Sequence, residues 1–230
     1  MTGTDYGQWT EHQRYSPNIR INFKMLPFKQ AIHFPFDFCY RIKFRRLTGK
    51  IIIDGNVSNG MIHLGTQGSE MFDGSSTIVD IAGTLVIKGK NISIGRGSLL
   101  RVEKTGCIEL NEGVVLGAQN LVLSEKHISI ESQTLSSWKC QFMDTDTHSI
   151  MDLETGRVLP RARSIKIGKR CWIASHVIIN KGTILPNNTI VASYSLCNKD
   201  YTKIISENSV IGGIPAKKLA ENKLRYNDKL

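Results

Sequence analysis

The chain has 230 residues, 40% hydrophobic and 22% charged, which is enough to bury one continuous core. Its net charge of +10 fits a phosphate-bearing cofactor, anionic lipid or nucleic acid, and the sign alone does not choose among them. No apolar run reaches the roughly 20 residues that span a bilayer, and residues 1–20 lack the apolar core of a secretory signal. We therefore expect a cytoplasmic protein.

Residues 1–49 contain no repeat and place aromatic side chains beside basic ones, as in FPFDFCYRIKFRR. Two interpretations stay open. The segment could cap the open end of the structure that follows and protect its edge, which we favour. It could also lie on a membrane surface, at the inner face of the membrane.

The dominant signal between residues 50 and 212 is a period of six. It is unbroken in the C-terminal third, at Ile167, Ile173, Ile179, Leu185 and Val191. Four positions after each comes a small or β-branched residue, namely Cys171, Val177, Thr183, Thr189 and Ser195. Upstream the period holds less cleanly, with a slip of four residues, over Ile94, Leu100, Leu110, Leu116, Val122, Ile128, Thr134 and Cys140.

A period of six fits neither an amphipathic helix nor a hairpin strand. It fits a triangular solenoid, because each hexad supplies one short strand and a turn, and three hexads close one coil. Successive coils then stack about 4.8 Å apart as parallel strands. We expect positive φ at the corner glycines, which are Gly95, Gly106, Gly113, Gly117, Gly168 and Gly182.

The repeat is interrupted at about residues 144–164, where charges, Gly156 and Pro160 replace the regular aliphatic residues. We predict a long loop here, and loops of this length inside repeat domains are usually functional. After the repeat, residues 213–230 space Leu219, Lys223 and Tyr226 as a helix would, so we predict a short C-terminal helix.

The hexad pattern resembles that of the hexapeptide-repeat acyltransferase superfamily, sugar O-acetyltransferase type. Further resemblances are MDTDTHSI to an acid-x-acid-x-His loop, KRCWIAS to a Trp-Ile-Gly coil, and GGIPAKKL to a Gly-x-Pro-Ala-Lys signature. The resemblance implies an all-β solenoid: a left-handed parallel β-helix over residues 50–212, with the inserted loop, an N-terminal cap and a C-terminal helix. The hand comes from the family, since the general rule for parallel crossovers is right-handed.

By this resemblance His148 is the catalytic base, because acyl transfer to an alcohol needs a proton acceptor with a pKa near neutrality. A neighbouring carboxylate would orient the imidazole; Asp146 is the preferred candidate and Asp144 the other. His176 is more plausible as surface decoration. Cys171 is a weak candidate nucleophile, because it occupies a small inward position.

The co-substrate implied by the resemblance is acetyl-CoA, with small residues admitting the pantetheine arm and lysines meeting the phosphates. Ala174 stands where the family usually has glycine, and Ser193 and Tyr194 depart from a Gly-Ala-Gly-Ser texture. The predicted cofactor-binding residues are Trp172, Ala174, Ser175, Ala192, Ser193, Lys199, Pro215, Ala216, Lys217 and Lys218.

The resemblance predicts direct acetyl transfer in a ternary complex to a sugar hydroxyl of a capsular, exopolysaccharide or lipopolysaccharide precursor. It also predicts a homotrimer with sites between subunits. The acceptor, its hydroxyl or amine, and the length of the acyl group stay open.

Two other functions are weighed against this one. The first is a non-catalytic β-helix binding module. The second is a γ-type carbonic-anhydrase-like zinc enzyme, which needs three imidazoles, whereas only His148 and His176 fall in plausible places. We expect no metal, since the five cysteines have no CxxC spacing, and no nucleic acid, since the bases form no recognised motif.

Overall fold

A computed structural model describes residues 19–66, 72 and 75–226 of the chain. In these ranges the strands wind into a three-sided rod whose sides are parallel sheets, here named A, B and C. Sheet A contains β1 (Phe36–Phe38), β4 (Ile62–Thr66), β7 (Ile92–Gly95), β10 (Val115–Leu116), β13 (Leu135–Ser136), β16 (Trp172–Ile173), β19 (Ile190–Val191), β21 (Val210–Gly213) and β22 (Ala216–Ala220).

The other two sides share the same stacking order. Sheet B contains β2 (Ile42–Leu47), β5 (Thr77–Ile81), β8 (Leu99–Val102), β11 (Leu121–Ser124), β14 (Gln141–Met143), β17 (Ile178–Asn180) and β20 (Leu196–Cys197). Sheet C contains β3 (Lys50–Asp54), β6 (Thr84–Lys88), β9 (Cys107–Asn111), β12 (Ile128–Ile130), β15 (Ile165–Ile167) and β18 (Ile184–Leu185). The chain visits A, B and C in turn, so the parallel β-helix expected from the repeat is confirmed.

The inward positions of the repeat form the core. All ten positions predicted in the C-terminal third are between 0% and 2% exposed. The hydroxyl groups of the inward threonines form hydrogen bonds with backbone carbonyls. Thr183 Oγ1 donates to the carbonyl of Asn180 at 2.7 Å, and Thr189 Oγ1 donates to the carbonyl of Pro186 at 2.8 Å. A hydroxyl is therefore tolerated inside the rod, because each finds an acceptor at the corner.

Coil length explains why the period is clean only near the C-terminus. The register partners Trp172 and Ile190 are 18 residues apart, which is three hexads. The partners Val115 and Leu135 are 20 apart, and earlier coils are longer still. A turn closed by the amide of Gly106 and the carbonyl of Glu103 absorbs the slip seen before Leu110.

Most of the corner glycines do not have the backbone conformation we expected. Of the six, only Gly113 and Gly182 have positive φ. The prediction is wrong for the other four, where glycine is required for a different reason. Neighbouring coils approach so closely that no side chain fits: a Cβ on Gly106 would lie 2.2 Å from the carbonyl oxygen of Ser124. The left-handed corner positions are instead filled by residues such as His176 and Tyr194.

The N-terminal boundary of the rod also needs correction, since we expected the β-helix to begin at residue 50. Strands β1 and β2 already pair in parallel with β4 and β5, so the rod begins at Phe36. Helical residues 19–25 and the helix Phe28–Ala31 precede it. They bury Ile21, Met25 and Ala31 in the same core, and therefore cap the first coil.

The predicted C-terminal helix is not formed in the described part of the chain. Residues 216–220 are strand β22, which turns back antiparallel to β21 and covers the last edge of sheet A. Beyond it the tail returns along the corner between sheets C and A, where Arg225 donates to the carbonyl of Gln133 at 3.2 Å. Within the described ranges, none of the helices has the length and apolar character that crossing a membrane requires.

Candidate functional site

Residues 144–164 leave the rod between β14 and β15, at the corner between sheets B and C, which we call corner BC. Asp144 forms the base of this excursion and is fully buried. Its carboxylate accepts hydrogen bonds from Ser124 Oγ at 2.8 Å, the amide of Glu125 at 2.7 Å and the amide of Lys126 at 2.9 Å. Burial raises the pKa of Asp144, and these hydrogen bonds oppose the rise. Asp144 is therefore a structural anchor and does not face a substrate.

The excursion is a hairpin, here called the arm. Antiparallel bridges join Thr145 to Ala162 and Met151 to Val158. Two ion pairs fasten it to the rod, one between Asp146 and Lys181 and one between Arg161 and Glu125. The tip carries exposed apolar side chains, and Leu153 is 92% exposed.

His148 lies on the first branch of the arm and its side chain is exposed. Within the described ranges it makes no hydrogen bond, so its imidazole is available to a ligand. The orienting contact predicted from Asp146 is not formed, because that carboxylate pairs with the full charge of Lys181. The intervening Thr147 has a φ of 61°, which turns the branch between the two residues.

A cleft of about 460 Å³ opens beneath the arm on corner BC. Its wall includes Thr147, which directly precedes His148 in the chain. The lining residues are Arg101, Glu103, Lys104, Thr105, Leu123, Glu125, Thr145, Thr147 and Arg161. A cleft of this size and polarity suits a hydroxylated or anionic small molecule.

Most of the predicted cofactor residues lie elsewhere, along the corner between sheets A and B, which we call corner AB. Ser175 and Ser193 occupy it in successive coils, with their Oγ atoms 3.4 Å apart. Beside them the His176 and Tyr194 rings are stacked, with centroids 4.5 Å apart and planes at 10°. Sequence reasoning gave no role to this stack, because the coil lengths had to be known before the two rings could be brought together.

Other predicted cofactor residues border this corner. Trp172 on β16 donates from Nε1 to Ser137 Oγ at 3.4 Å, and Ala174 is buried beside it. Ala192 is close-packed, since a Cβ added to Gly212 would lie 2.9 Å from the Cβ of Ala192.

The C-terminal signature follows on the same side of the rod. Lys217 on β22 is in register with Gly212, and Ala216 is buried with its carbonyl accepting from the hydroxyl of Tyr201 at 3.3 Å. Pro215 is exposed in the turn before it. Lys218 forms an ion pair with Glu221 at 2.8 Å, so Lys217 is the better placed of the two for a phosphate.

Lys199 is separated from this group. It follows β20 at corner BC, two coils beyond the arm, on the His148 side of the rod. Sheet B lies between the two corners. One subunit therefore does not bring His148 and Ser193 together.

Sequence reasoning missed the charged wall of the cleft. Arg101 contacts Glu103 at 2.5 Å, and Arg46 joins them while also binding Asp80. The signal available in the sequence was that Arg101 and Glu103 alternate with the apolar Leu100 and Val102, which predicts that both charged side chains point outward. The sequence could not show that these residues lie next to the arm, because that depends on the register between coils of unequal length.

The candidate nucleophile and the zinc-enzyme alternative find no support in the geometry. Burial raises the pKa of the Cys171 thiol to about 12. In the part of the chain that the structure describes, the side-chain cluster able to hold a metal contains one imidazole, His63, and lies far along the sequence from His148. The histidines of the described ranges therefore do not form a three-imidazole site.

Comparisons with known proteins find similarity to O-acetyltransferases. No protein-family model matches the chain. Over 137 residues it is 27% identical to the putative lipopolysaccharide biosynthesis O-acetyl transferase WbbJ of Escherichia coli (strain K12), covering 56% of this chain and 68% of that protein. It is 26% identical over 204 residues to an uncharacterized 24.8 kDa protein in the cps region of Klebsiella pneumoniae, covering 89% and 87%.

Among solved structures, the polysialic acid O-acetyltransferase OatWY shares the fold, with a TM-score of 0.54 at 21% identity over 85% of this chain and 91% of that one. The repeat, the three parallel sheets and the inserted arm define the class as a hexad-built parallel β-helix. Within that class, the chain is similar in sequence to O-acetyltransferases such as WbbJ, which agrees with the resemblance of its repeat to that of hexapeptide-repeat acyltransferases.

Proposed function

We propose that this protein transfers an acetyl group from acetyl-CoA to a hydroxyl of a sugar in a polysaccharide or lipopolysaccharide precursor. The main support is the exposed imidazole of His148, carried by an anchored arm on which the preceding residue, Thr147, lines a charged cleft. The sequence similarity to WbbJ adds the reaction class and the kind of acceptor.

In the proposed reaction, neutral His148 takes the proton of the acceptor hydroxyl while the hydroxyl oxygen forms a bond to the thioester carbonyl carbon. A backbone N–H of the coil stabilises the tetrahedral oxyanion. The C–S bond then breaks, and the leaving CoA sulfur receives the proton from the imidazolium. Direct transfer needs no acyl-enzyme, and the buried Cys171 thiol is unsuited to forming one.

Acetyl-CoA would be held along corner AB. Ser175 and Ser193 leave room for the pantetheine arm, and Lys217 supplies a point charge for phosphate. Because His148 projects from corner BC, a complete site would combine these two corners from neighbouring subunits of a homotrimer. The exposed apolar tip of the arm, which includes Met151 and Leu153, supports contact with a second copy.

Asp146 acts in this proposal as a positioning residue, through its ion pair with Lys181. Asp146→Asn and Lys181→Met should then lower kcat to a similar degree, and the double variant should be no worse than either alone. The KM for acetyl-CoA should be unchanged. Additive losses would show that the two residues act separately.

The test of the reaction monitors free thiol release from acetyl-CoA with a panel of sugar nucleotides and oligosaccharides. His148→Ala should reduce turnover by about 10² to 10⁴-fold, the usual contribution of a positioned base. Acetyl-CoA binding by calorimetry should persist, and the exposed His33→Ala is the matched control. Near-normal turnover of His148→Ala would remove the assigned role, and absence of acetyl-CoA binding by the wild-type protein would favour a non-catalytic binding module.

The oligomeric state has its own test. Light scattering coupled to gel filtration should give the mass of a trimer. A monomer that retains full activity would contradict a site shared between subunits.

We further propose that the N-terminal cap touches an anionic membrane surface from the cytoplasmic side. Its outer face exposes Ile19, Phe23, Phe28 and Ile32, and Phe28 is 71% exposed. Exposed bases alternate with them at Arg20, Lys24 and Lys29, as in interfacial helices. The protein should float with anionic vesicles but not with neutral ones, Phe28→Ser should weaken the binding, and Ile52→Ser, on the exposed face of β3, should not. Equal recovery with both vesicle types would contradict the proposal.

A further inference from the structure

Three metal-ligating side chains converge on the outer face of sheet A, far along the sequence from the arm. Asp37 lies on β1, and Cys39 follows two residues later, just past the end of that strand. His63 lies on β4, directly opposite Asp37 in the parallel register. The neighbours Phe36, Ile62 and Leu64 are buried, so strand alternation directs the three ligating side chains outward.

The distances between the ligand atoms suit a small cation. The carboxylate oxygen, the thiol sulfur and an imidazole nitrogen all lie within 4.8 Å of one another. Asp37 Oδ2 and His63 Nδ1 are 3.4 Å apart, which is long for a strong charge-assisted hydrogen bond. Two N or O ligands bound to Zn²⁺ at about 2.0–2.1 Å in tetrahedral geometry are separated by about 3.3 Å.

We propose that Asp37, Cys39 and His63 form a zinc site, with the fourth position open to water. Oxygen, sulfur and nitrogen ligands together are typical of Zn²⁺, and a thiolate ligand disfavours Mg²⁺ and Ca²⁺. A shift of the Cys39 side chain of about 1 Å brings sulfur to bonding distance from the ion. The Asp37 and His63 side chains are 50% and 38% exposed, so the ion has a path from solvent.

The site has a structural consequence that is independent of acyl transfer. In the described ranges β1 pairs only with β4, because it is the terminal strand of sheet A. A metal ligated by residues of both strands would fasten the first coil and the cap above it to the rest of the rod. Binding also releases the thiol proton, so the affinity should fall as the pH is lowered.

The 230-residue protein, treated with a chelator that is then removed, should bind one equivalent of Zn²⁺ in calorimetry. Co²⁺ used as a spectroscopic probe should give the thiolate-to-metal charge-transfer absorption that reports sulfur ligation. Cys39→Ser and His63→Ala should each weaken Zn²⁺ binding by more than about 10-fold, since even residues supporting a ligand are worth about 10 to 100-fold. Cys107→Ser, which removes a partly buried thiol on β9, is the control and should bind as the wild type does.

Saturable binding that is equal in the wild type and Cys39→Ser would overturn the proposal, as would the absence of one-equivalent Zn²⁺ binding. Should a variant fail to fold, the wild type still decides the question by alkylation, because bound Zn²⁺ should protect Cys39 from iodoacetamide. Unchanged labelling of Cys39 in saturating Zn²⁺ would overturn the proposal as well. Thiol release from acetyl-CoA by His148→Ala is a separate measurement, so failure of one proposal leaves the other intact.

Discussion

Replacement of Asp144 by alanine tests how the arm is held to the rod. The carboxylate is fully buried and accepts three hydrogen bonds of 2.7–2.9 Å, two of them from backbone amides. A hydrogen bond to a charged group contributes about 1.5–3 kcal/mol, and a buried donor left without a partner costs about 1–3 kcal/mol. Burial of the charge, which raises the pKa of Asp144, offsets part of this gain. We therefore expect a net loss of about 3 kcal/mol in the free energy of unfolding.

The assay is urea unfolding at one fixed protein concentration, because subunit association would otherwise change the apparent stability. The midpoint should fall while the slope is unchanged. Asp152→Ala is the matched control: Asp152 lies at the exposed arm tip and accepts hydrogen bonds from the amides of Glu154 and Thr155 at 3.0 and 2.9 Å. That change should cost less than about 1 kcal/mol. Equal losses for both variants would refute the view that Asp144 anchors the arm.

Three further predictions concern pH, backbone packing and thiol reactivity. Hydrogen bonding from Arg46 lowers the pKa of Glu103, so this carboxylate stabilises the fold above its ordinary pKa of about 4.3, and the contribution is lost as the pH falls through the lowered value. Glu103→Gln should therefore reduce the acid-induced fall in the melting temperature; an unchanged acid limb would contradict this. Gly106→Ala should lower the free energy of unfolding by more than about 2 kcal/mol, because its Cβ would meet a backbone carbonyl oxygen. Gly156 has open space around it and a positive φ, so Gly156→Ala should lower the free energy of unfolding by only about 1 kcal/mol. Urea unfolding measures both. Equal costs would show that the coils can separate. Iodoacetamide should label the exposed Cys39 of the native, metal-free protein, as detected by mass spectrometry. Buried thiols with raised pKa should react only on unfolding; these are Cys140, Cys171 and Cys197.

Part of the candidate site was readable from the sequence because its residues are contiguous. MDTDTHSI placed His148 at the start of an interruption, and the structure places it on an arm between β14 and β15. The partners of the nearby acids were not readable. Asp144 binds residues about 20 positions earlier and Asp146 binds Lys181, so both assignments depend on which coils are neighbours.

The cap and the tail show a second limit of local patterns. Phe36 and Ile42 begin strands whose register partners lie 26 and 35 residues further along the chain, so a repeat of three hexads per coil does not reveal them. The residues around Leu219 are compatible with a helix, but pairing with β21 makes them a strand. Tertiary hydrogen bonding overrides the weak helix preference of such a short segment.

The sequence by itself determined the architecture, since side chains at every sixth position can be buried together only if the chain coils with three strands per turn. It also located His148 in the segment that interrupts the repeat of six. Only the tertiary structure decided which outward residues became neighbours, because they belong to coils of 18 to 37 residues whose lengths set every register. The pairing of Asp37 with His63, the stack of His176 on Tyr194 and the separation of His148 from Ser193 by sheet B all follow from that stacking.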